Sequence, residues 1–290
     1  MLAIVDSGST KTDWYFIGTG SRFGEDEIHL TTQGLNPYFV GSDEIERCLE
    51  KEIYPFIDNR QVEQVYFYGS GCADDYKKTT LYTPLESFFP NAMVQVESDL
   101  MGAAVALFGD EPGIAGILGT GASVCRYDGQ RIVERQPSLG YILGDEGSGA
   151  HIGLQLLRAY LYRDMPPALA QAFGAFCPGT PTELLERVYK GDRPNRFLGS
   201  LAHFAGDHRN DPFIKDLLQT AFGAFCGRQL LKFGEIKALS VKLLGSVAHH
   251  FSEELTEAAR RCGLEIAAVE ASPLAGLIRY YKRTDGRNEK

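Results

Sequence analysis

Cysteines are scarce and scattered in this 290-residue sequence: there are six, at positions 48, 72, 125, 177, 226 and 262, and no two lie closer than 24 residues. That spacing excludes a CxxC zinc or redox pair and leaves six buried or half-buried free thiols of a cytoplasmic chain as the expectation. There is no N-x-[ST] glycosylation acceptor. The longest uncharged stretch, Met165 to Thr182, carries Pro166, Pro167, Pro178 and Pro181, so it reads as no membrane helix. At the N-terminus, MLAIVD lacks a basic lead-in, and Asp6 interrupts the apolar run too early for a secretory signal. Excess positive charge is also missing. Lys and Arg number 29 against 38 Asp and Glu, giving a net charge of −9. General affinity for nucleic acid or anionic membrane is not expected, although a local phosphate pocket survives any net charge. No GxxxxGK[ST] phosphate loop occurs. Gly147-Ser148-Gly149 follows Asp145-Glu146 rather than a strand, which argues against a dinucleotide fingerprint.

What is present is an ordinary globular composition, 44% hydrophobic and 23% charged. The length suits two domains of roughly 150 residues each. Apolar runs at Leu2–Val5 and Trp14–Ile17 flank the small-residue segment Ser7–Thr12 like a hairpin. Ile45, Leu49 and Ile53 predict one helix over 43–53, with Asp43 and Glu46 as a capping pair. Strands are expected at Val62–Tyr68 and Met93–Val96, the latter followed by an Ala-rich helix that opens at Ser98 or Asp99 and ends at Gly109. The pattern then restarts: Gly113–Leu118, the turn Gly119-Thr120-Gly121, and Ala122–Tyr127. Helices are expected over 149–162, 183–190, 212–233 and 247–263, and strands at Val241–Leu244 and Ile266–Val269. Two α/β halves, each opened by a Gly/Ser/Thr hairpin, suggest a structural duplication. The expected division is 1–110 and 111–272, with a helix over 273–290 returning to the first half.

Five segments could carry chemistry. In Asp6-Ser7-Gly8-Ser9-Thr10-Lys11-Thr12, small residues would let backbone amides approach a polyphosphate, the hydroxyls of Ser9, Thr10 and Thr12 would add donors, and Asp6 could hold Mg²⁺ through water. A solvated turn explains the same residues. Gly119-Thr120-Gly121-Ala122-Ser123 is a second such turn. Asp145-Glu146, between glycines, could accept hydrogen bonds from vicinal sugar hydroxyls, or Glu146 or Ser148 could simply cap the next helix. Asp99, at the first turn of its helix, suits either a general base or a cap. Gly245-Ser246 is a small-residue strand-to-helix turn suited to an adenosine, though most such turns are only tight helix starts.

Taken in order, these segments resemble the sugar-kinase, heat-shock-chaperone and actin superfamily, and more narrowly the N-acetylglucosamine-kinase branch of the BadF/BadG/BcrA/BcrD-type ATPases. DSGSTKT at 6–12 is similar to that family's first phosphate motif, LGTGAS at 118–123 to its second, and LLGSVA at 243–248 to its adenosine motif. GYILGDEGSG at 140–149 is the most family-specific piece, and RFLGS at 196–200 also fits. The resemblance implies an α/β fold of two ribonuclease-H-like, actin-like lobes, with ATP–Mg²⁺ and a sugar meeting in a central cleft. It further implies an ATP-dependent kinase of N-acetylglucosamine or a related amino sugar. By that likeness, Ser9, Thr10, Lys11, Gly119, Thr120, Gly121, Leu198, Gly245 and Ser246 would face ATP, and Asp6 the metal. Asn36, Gly140, Asp145 and Glu146 would bind the sugar, with Asp99 as catalytic base and further sugar ligand. Two departures stand out: the family's glycine-tryptophan element reads Pro137-Ser138-Leu139-Gly140 here, and Ser7 and Ser9 replace more usual glycines. Rival readings are an activator ATPase of a dehydratase or reductase, whose cluster needs closely spaced cysteines, and a non-catalytic actin-like nucleotide-binding protein. Pairing with a second copy of the chain stays open.

Overall fold

Leu2, Ala3, Ile4 and Val5 are fully buried because strand β1 (Leu2–Ser7) runs through the middle of a sheet covered on both faces. The computed structural model describes residues 1–18, 24, 26–72, 74–234 and 236–284. β1 pairs antiparallel with β2 (Lys11–Ile17), which pairs antiparallel with β3 (Glu27–Gln33). On the other side of β1, beyond α1 (Ser42–Cys48), β4 (Gln64–Gly69) adds in parallel. Helix α2 (Asp75–Phe88) leads to β5 (Met93–Ser98), parallel to β4, and α3 (Asp99–Phe108) follows directly. The strand order is β3-β2-β1-β4-β5. Trp14 is fully buried, and its indole N–H donates to Thr32 Oγ1 at 3.0 Å, so the polar edge of this large ring is satisfied.

The chain divides into two compact units, Met1–Gly109 with the segment from Pro273, and Asp110–Ser272. In the second unit β6 (Gly113–Leu118) pairs antiparallel with β7 (Ala122–Tyr127), and β7 with β8 (Ile132–Arg135). Among the described residues six α-helices follow before the sheet resumes: α4 (Gly140–Leu143), α5 (Gly149–Tyr162), α6 (Pro167–Phe176), α7 (Pro181–Tyr189), α8 (Pro194–Asp207) and α9 (Pro212–Phe225). β9 (Val241–Leu244) is parallel to β6, and after α10 (Ser246–His250) and α11 (Ser252–Arg261), β10 (Ile266–Glu270) is parallel to β9. The order β10-β9-β6-β7-β8 repeats the first sheet's plan: a central strand with two antiparallel partners on one side and two parallel ones on the other. α12 (Leu274–Thr284) then belongs to the first unit, where the Tyr281 hydroxyl is bonded to that of Tyr68 and its ring stacks on Tyr66. Residues 285–290, the tail of the expected terminal helix, lie outside the described residues.

Several expected helices are differently divided. The segment 43–53 is α1 followed by a π-helical turn, Leu49–Ile53, and α1 starts from Gly41 with no side-chain cap, so the Asp43–Glu46 capping pair does not form. Likewise 212–233 is α9 plus a π turn at Cys226–Leu230, and 247–263 breaks at Phe251 into α10 and α11. β3, α2, β8, α4, α6 and α8 are not among the expected elements.

Candidate functional site

In the first unit, β1 delivers Asp6 and Ser7 to a tight turn in which the Gly8 N–H donates to the Lys11 carbonyl at 2.9 Å. The hydroxyls of Ser7 and Thr12 bond to each other at 2.8 Å and both accept from the Leu35 N–H. Thr12 is therefore turned inward, correcting its expected role as a ligand donor, whereas Thr10 is exposed at the tip. Gly34 crosses directly over the turn. A Cβ there would stand 2.4 Å from the Ser9 carbonyl carbon, so the contact admits only glycine. The Lys11 side chain is exposed at the same turn, its ammonium 2.6 Å from the Asp13 carboxylate.

Asn36 is 6% exposed, and its amide donates to Ser9 Oγ at 2.8 Å and Ser70 Oγ at 3.1 Å while Oδ1 accepts from the Tyr38 N–H. Both of its donors are thus committed, and Asn36 is a clasp between the first turn and the end of β4 rather than a free sugar donor. Asp99 is the first residue of α3, whose cap is Ser98, and its Oδ1 accepts from the Leu100 N–H at 2.8 Å. Parallel pairing sets Asp6, Tyr68 and Glu97 side by side, so Asp6 and Asp99, two residues past Glu97, share the C-terminal edge of β1, β4 and β5, near enough for the Asp99 charge to act on Asp6. Ligands of open α/β sheets bind at that edge.

Burial pushes the Asp6 carboxyl up to about 7, with the like charges of Asp99 and Asp13 adding and Lys11 opposing. Burial also raises Asp99, to about 6, against the hydrogen bonds from the Leu100 amide and its own. A recessed carboxylate beside two others fits a hard, oxygen-seeking cation such as Mg²⁺. Among the described residues no three His, Cys, Asp or Glu side chains are grouped to cage a metal, so a cation at Asp6 would draw its other ligands from phosphate and water.

In the second unit, the turn after β6 is closed by Gly119 N–H to Gly121 carbonyl, at 3.0 Å. The first amides of α5, from Gly149 and Ala150, donate to the carbonyls of Gly119 and Thr120 at 2.8 and 3.1 Å. The helix start thereby fixes the turn, and Thr120 remains exposed. Gly245, at φ +117°, passes so close to β6 that a Cβ would lie 2.3 Å from the Leu118 carbonyl oxygen, which brings Ser246 beside the turn. A Cβ on Gly199 would stand 3.2 Å from Thr120 Cγ2. Leu198, expected at the nucleotide, is 1% exposed and packs into the core of this unit; its neighbour Gly199 is the residue that faces the turn.

The acidic segment leans on the same turn. Asp145 Oδ1 accepts from the Ala122 N–H at 3.2 Å, and burial raises its carboxyl pKa against that bond, with Glu146 adding. Asp145 also adopts φ +55°, a conformation non-glycine residues rarely take outside constrained sites. Glu146 is 7% exposed, and its two oxygens accept from Gln229 at 3.0 Å and Arg228 at 3.2 Å. The expected sugar ligand Glu146 is therefore an internal brace. Gly140, at φ +72°, opens the short α4, whose Ile142 and Leu143 are exposed. Gly199 falls in the RFLGS segment already singled out, whereas Gly34, Ser70, Arg228 and Gln229 are not among the expected site residues; of these, Ser70, beside Gly71 at a strand end, carries a local signal, and the others act across long sequence separations. Cys48, Cys72, Cys125, Cys177 and Cys226 are buried and Cys262 half-buried, an arrangement poorly suited to a shared surface cluster.

No known family model matches this chain, and no curated protein does. Among solved structures, a candidate N-acetylglucosamine kinase from Porphyromonas gingivalis is 37% identical with a TM-score of 0.90, covering 98% of this chain and all of the other. A second candidate N-acetylglucosamine kinase, from Chromobacterium violaceum, is 18% identical with a TM-score of 0.70, over 96% of this chain and 98% of the other. A ROK-family glucokinase from Streptomyces griseus, solved with glucose and AMPPNP, is 18% identical with a TM-score of 0.56, over 95% and 96%. The last two establish likeness of fold.

Proposed function

The chain belongs to the N-acetylglucosamine-kinase-like ATPases of the actin-like fold, and from that premise we propose that it transfers the γ-phosphoryl group of ATP to a hydroxyl of an amino sugar, N-acetylglucosamine being the first candidate. The observation that carries this reading is the convergence of Asp6 and Asp99 at one edge of the first sheet, with Asp99 held by its own helix start. Asp99 would accept the proton of the attacking hydroxyl. A carboxyl raised to about 6 is mostly ionised near neutrality yet more basic than an ordinary aspartate, as that task requires. Asp6 would hold Mg²⁺, which when bound with ATP supplies charge neutralisation at the phosphates.

Thr10 and Ser9 on one turn, and Gly119, Thr120 and Gly121 on the other, would meet phosphate oxygens. Gly245, Ser246 and Gly199 would leave room for the adenosine, and Asp145 would accept from sugar hydroxyls beside Gly140. Catalysis would then rest on alignment and electrostatics more than on covalent chemistry. The test is ADP release with ATP and Mg²⁺ against N-acetylglucosamine, glucosamine, N-acetylmuramic acid and glucose. Stimulation by one of them supports the reading. Basal ATP turnover that no sugar stimulates would favour an activator or regulatory ATPase instead. Because Pro137-Ser138-Leu139 departs from the family's glycine-tryptophan element, the panel also decides which sugar is preferred.

A further inference from the structure

The loop that carries Asp145 is locked from behind by a residue that makes no part of the roles assigned above. His151 is the third residue of α5, where its N–H donates to the capping Ser148 Oγ at 3.2 Å. Its side chain reaches back over the helix start, and Nδ1 stands 3.2 Å from the Gly147 amide nitrogen as the acceptor of that N–H. This is a reciprocal clasp like a capping box, with an imidazole in the place of the usual Glu or Gln and the bond moved one residue upstream. Nε2 lies 3.4 Å from the Gln155 side-chain amide one turn along α5. Gly147, at φ +76°, and Asp145, at φ +55°, are both left-handed, and the Ser148 N–H donates to the Asp145 carbonyl at 3.0 Å. A left-handed aspartate persists only where its surroundings hold it, and the freely turning Gly147 next to that loop is fixed by its amide's bond to His151.

We propose that His151, through Gly147, is a positioning residue that sets the conformation of the Asp145 loop and so the affinity for sugar; the role at the sugar rests on the kinase reading of this site. The bond requires Nδ1 to be unprotonated. Burial favours the neutral ring, with Arg228 and Arg158 supporting it and Glu146 opposing. Protonation would set an N–H against the Gly147 N–H and break the clasp.

The test compares His151→Phe, which keeps a ring but has no acceptor, with His151→Asn, whose Oδ1 can take the place of Nδ1. In steady-state kinetics with N-acetylglucosamine, or whichever sugar stimulates the wild type, the Phe variant should raise the sugar KM tenfold or more. Its ATP KM should stay within twofold, and the Asn variant should keep the sugar KM within threefold of wild type. Hydrogen exchange of peptides spanning 143–150, on the whole protein without ligands, should show protection lost in the Phe variant and kept in the Asn variant. An unchanged sugar KM and unchanged exchange in a folded Phe variant, or an Asn variant as impaired as Phe, overturns the proposal. Should the Phe variant not fold, the Asn variant decides alone, by retained or lost protection and KM. If no sugar stimulates the wild type, the kinase reading fails, while the exchange comparison still decides whether His151 holds the loop.

Discussion

Replacing Asp6 by Asn should make the protein more stable while crippling its chemistry. The Asp6 carboxyl is raised from 3.8 to about 7 in the folded protein, chiefly by burial. At about 1.4 kcal/mol per tenfold change in proton affinity, ionising it costs the fold about 4 kcal/mol. Partial exposure and solvent screening reduce that to about 2 kcal/mol. Between 3.8 and about 7 the folded state keeps the proton that the unfolded state releases, so wild-type stability falls as pH rises through that window and levels off above it. Asn carries no titrating proton. The stability gap between variant and wild type should therefore grow from pH 4 to about 7 and then stay flat. At about 2–4 °C per kcal/mol for a chain of this size, melting at pH 8 without nucleotide or metal should rise by roughly 4–8 °C. Scanning calorimetry across pH, alongside Mg²⁺-dependent turnover, reads both effects. A variant no more stable than wild type at pH 8, or a gap that ignores pH, refutes the reasoning.

Asp99→Asn should retain ATP binding by calorimetry and lose on the order of 10²-fold or more in kcat, the weight of a positioned base. Near-normal turnover removes Asp99 from the mechanism. With Asp99 raised to about 6 and active when ionised, wild-type kcat at saturating Mg²⁺, ATP and sugar, where the bound cation keeps Asp6 ionised, should fall about tenfold per pH unit below about 6, and in a pH–rate profile that acid limb should disappear in the residual activity of the Asn variant. Gly34→Ala forces a Cβ within 2.4 Å of the Ser9 carbonyl carbon, so urea unfolding should show a loss of about 1–3 kcal/mol and the ATP KM should rise. Gly245→Ala combines φ +117° with a 2.3 Å approach to the Leu118 carbonyl oxygen, and should weaken ATP binding while leaving sugar binding unchanged.

The repeated strand plan was readable because β1 and β6 are short, unbroken apolar runs followed by small-residue turns, a pattern that marks buried central strands. β3 was not. Its sequence EIHLTTQ alternates His, Thr and Gln toward solvent, with buried positions only at Ile28 and Thr32. α2 was hidden by Pro84 inside it, which local rules treat as a breaker but which the structure buries against the core. The site divides along the same line. Asp6, Asp99, Asp145 and the two turns sit at strand ends and helix starts, where local sequence is informative. Asn36 and Leu198 are expected as ligand contacts by resemblance and Glu146 by its place between glycines, yet long-range partners absorb them: Ser9 and Ser70 for Asn36, Gln229 and Arg228 for Glu146, and the core of the second unit for Leu198. Spacing along a chain does not reveal which polar group another element, here up to 83 residues away, has already claimed.

Phosphorus NMR of the wild-type protein incubated with Mg²⁺, ATP and N-acetylglucosamine tests the central claim most directly. A new sugar-phosphate resonance growing in step with ADP, and nearly absent with Asp99→Asn, is the predicted result. ADP accompanied only by inorganic phosphate, with this sugar and with every other member of the panel, would contradict it.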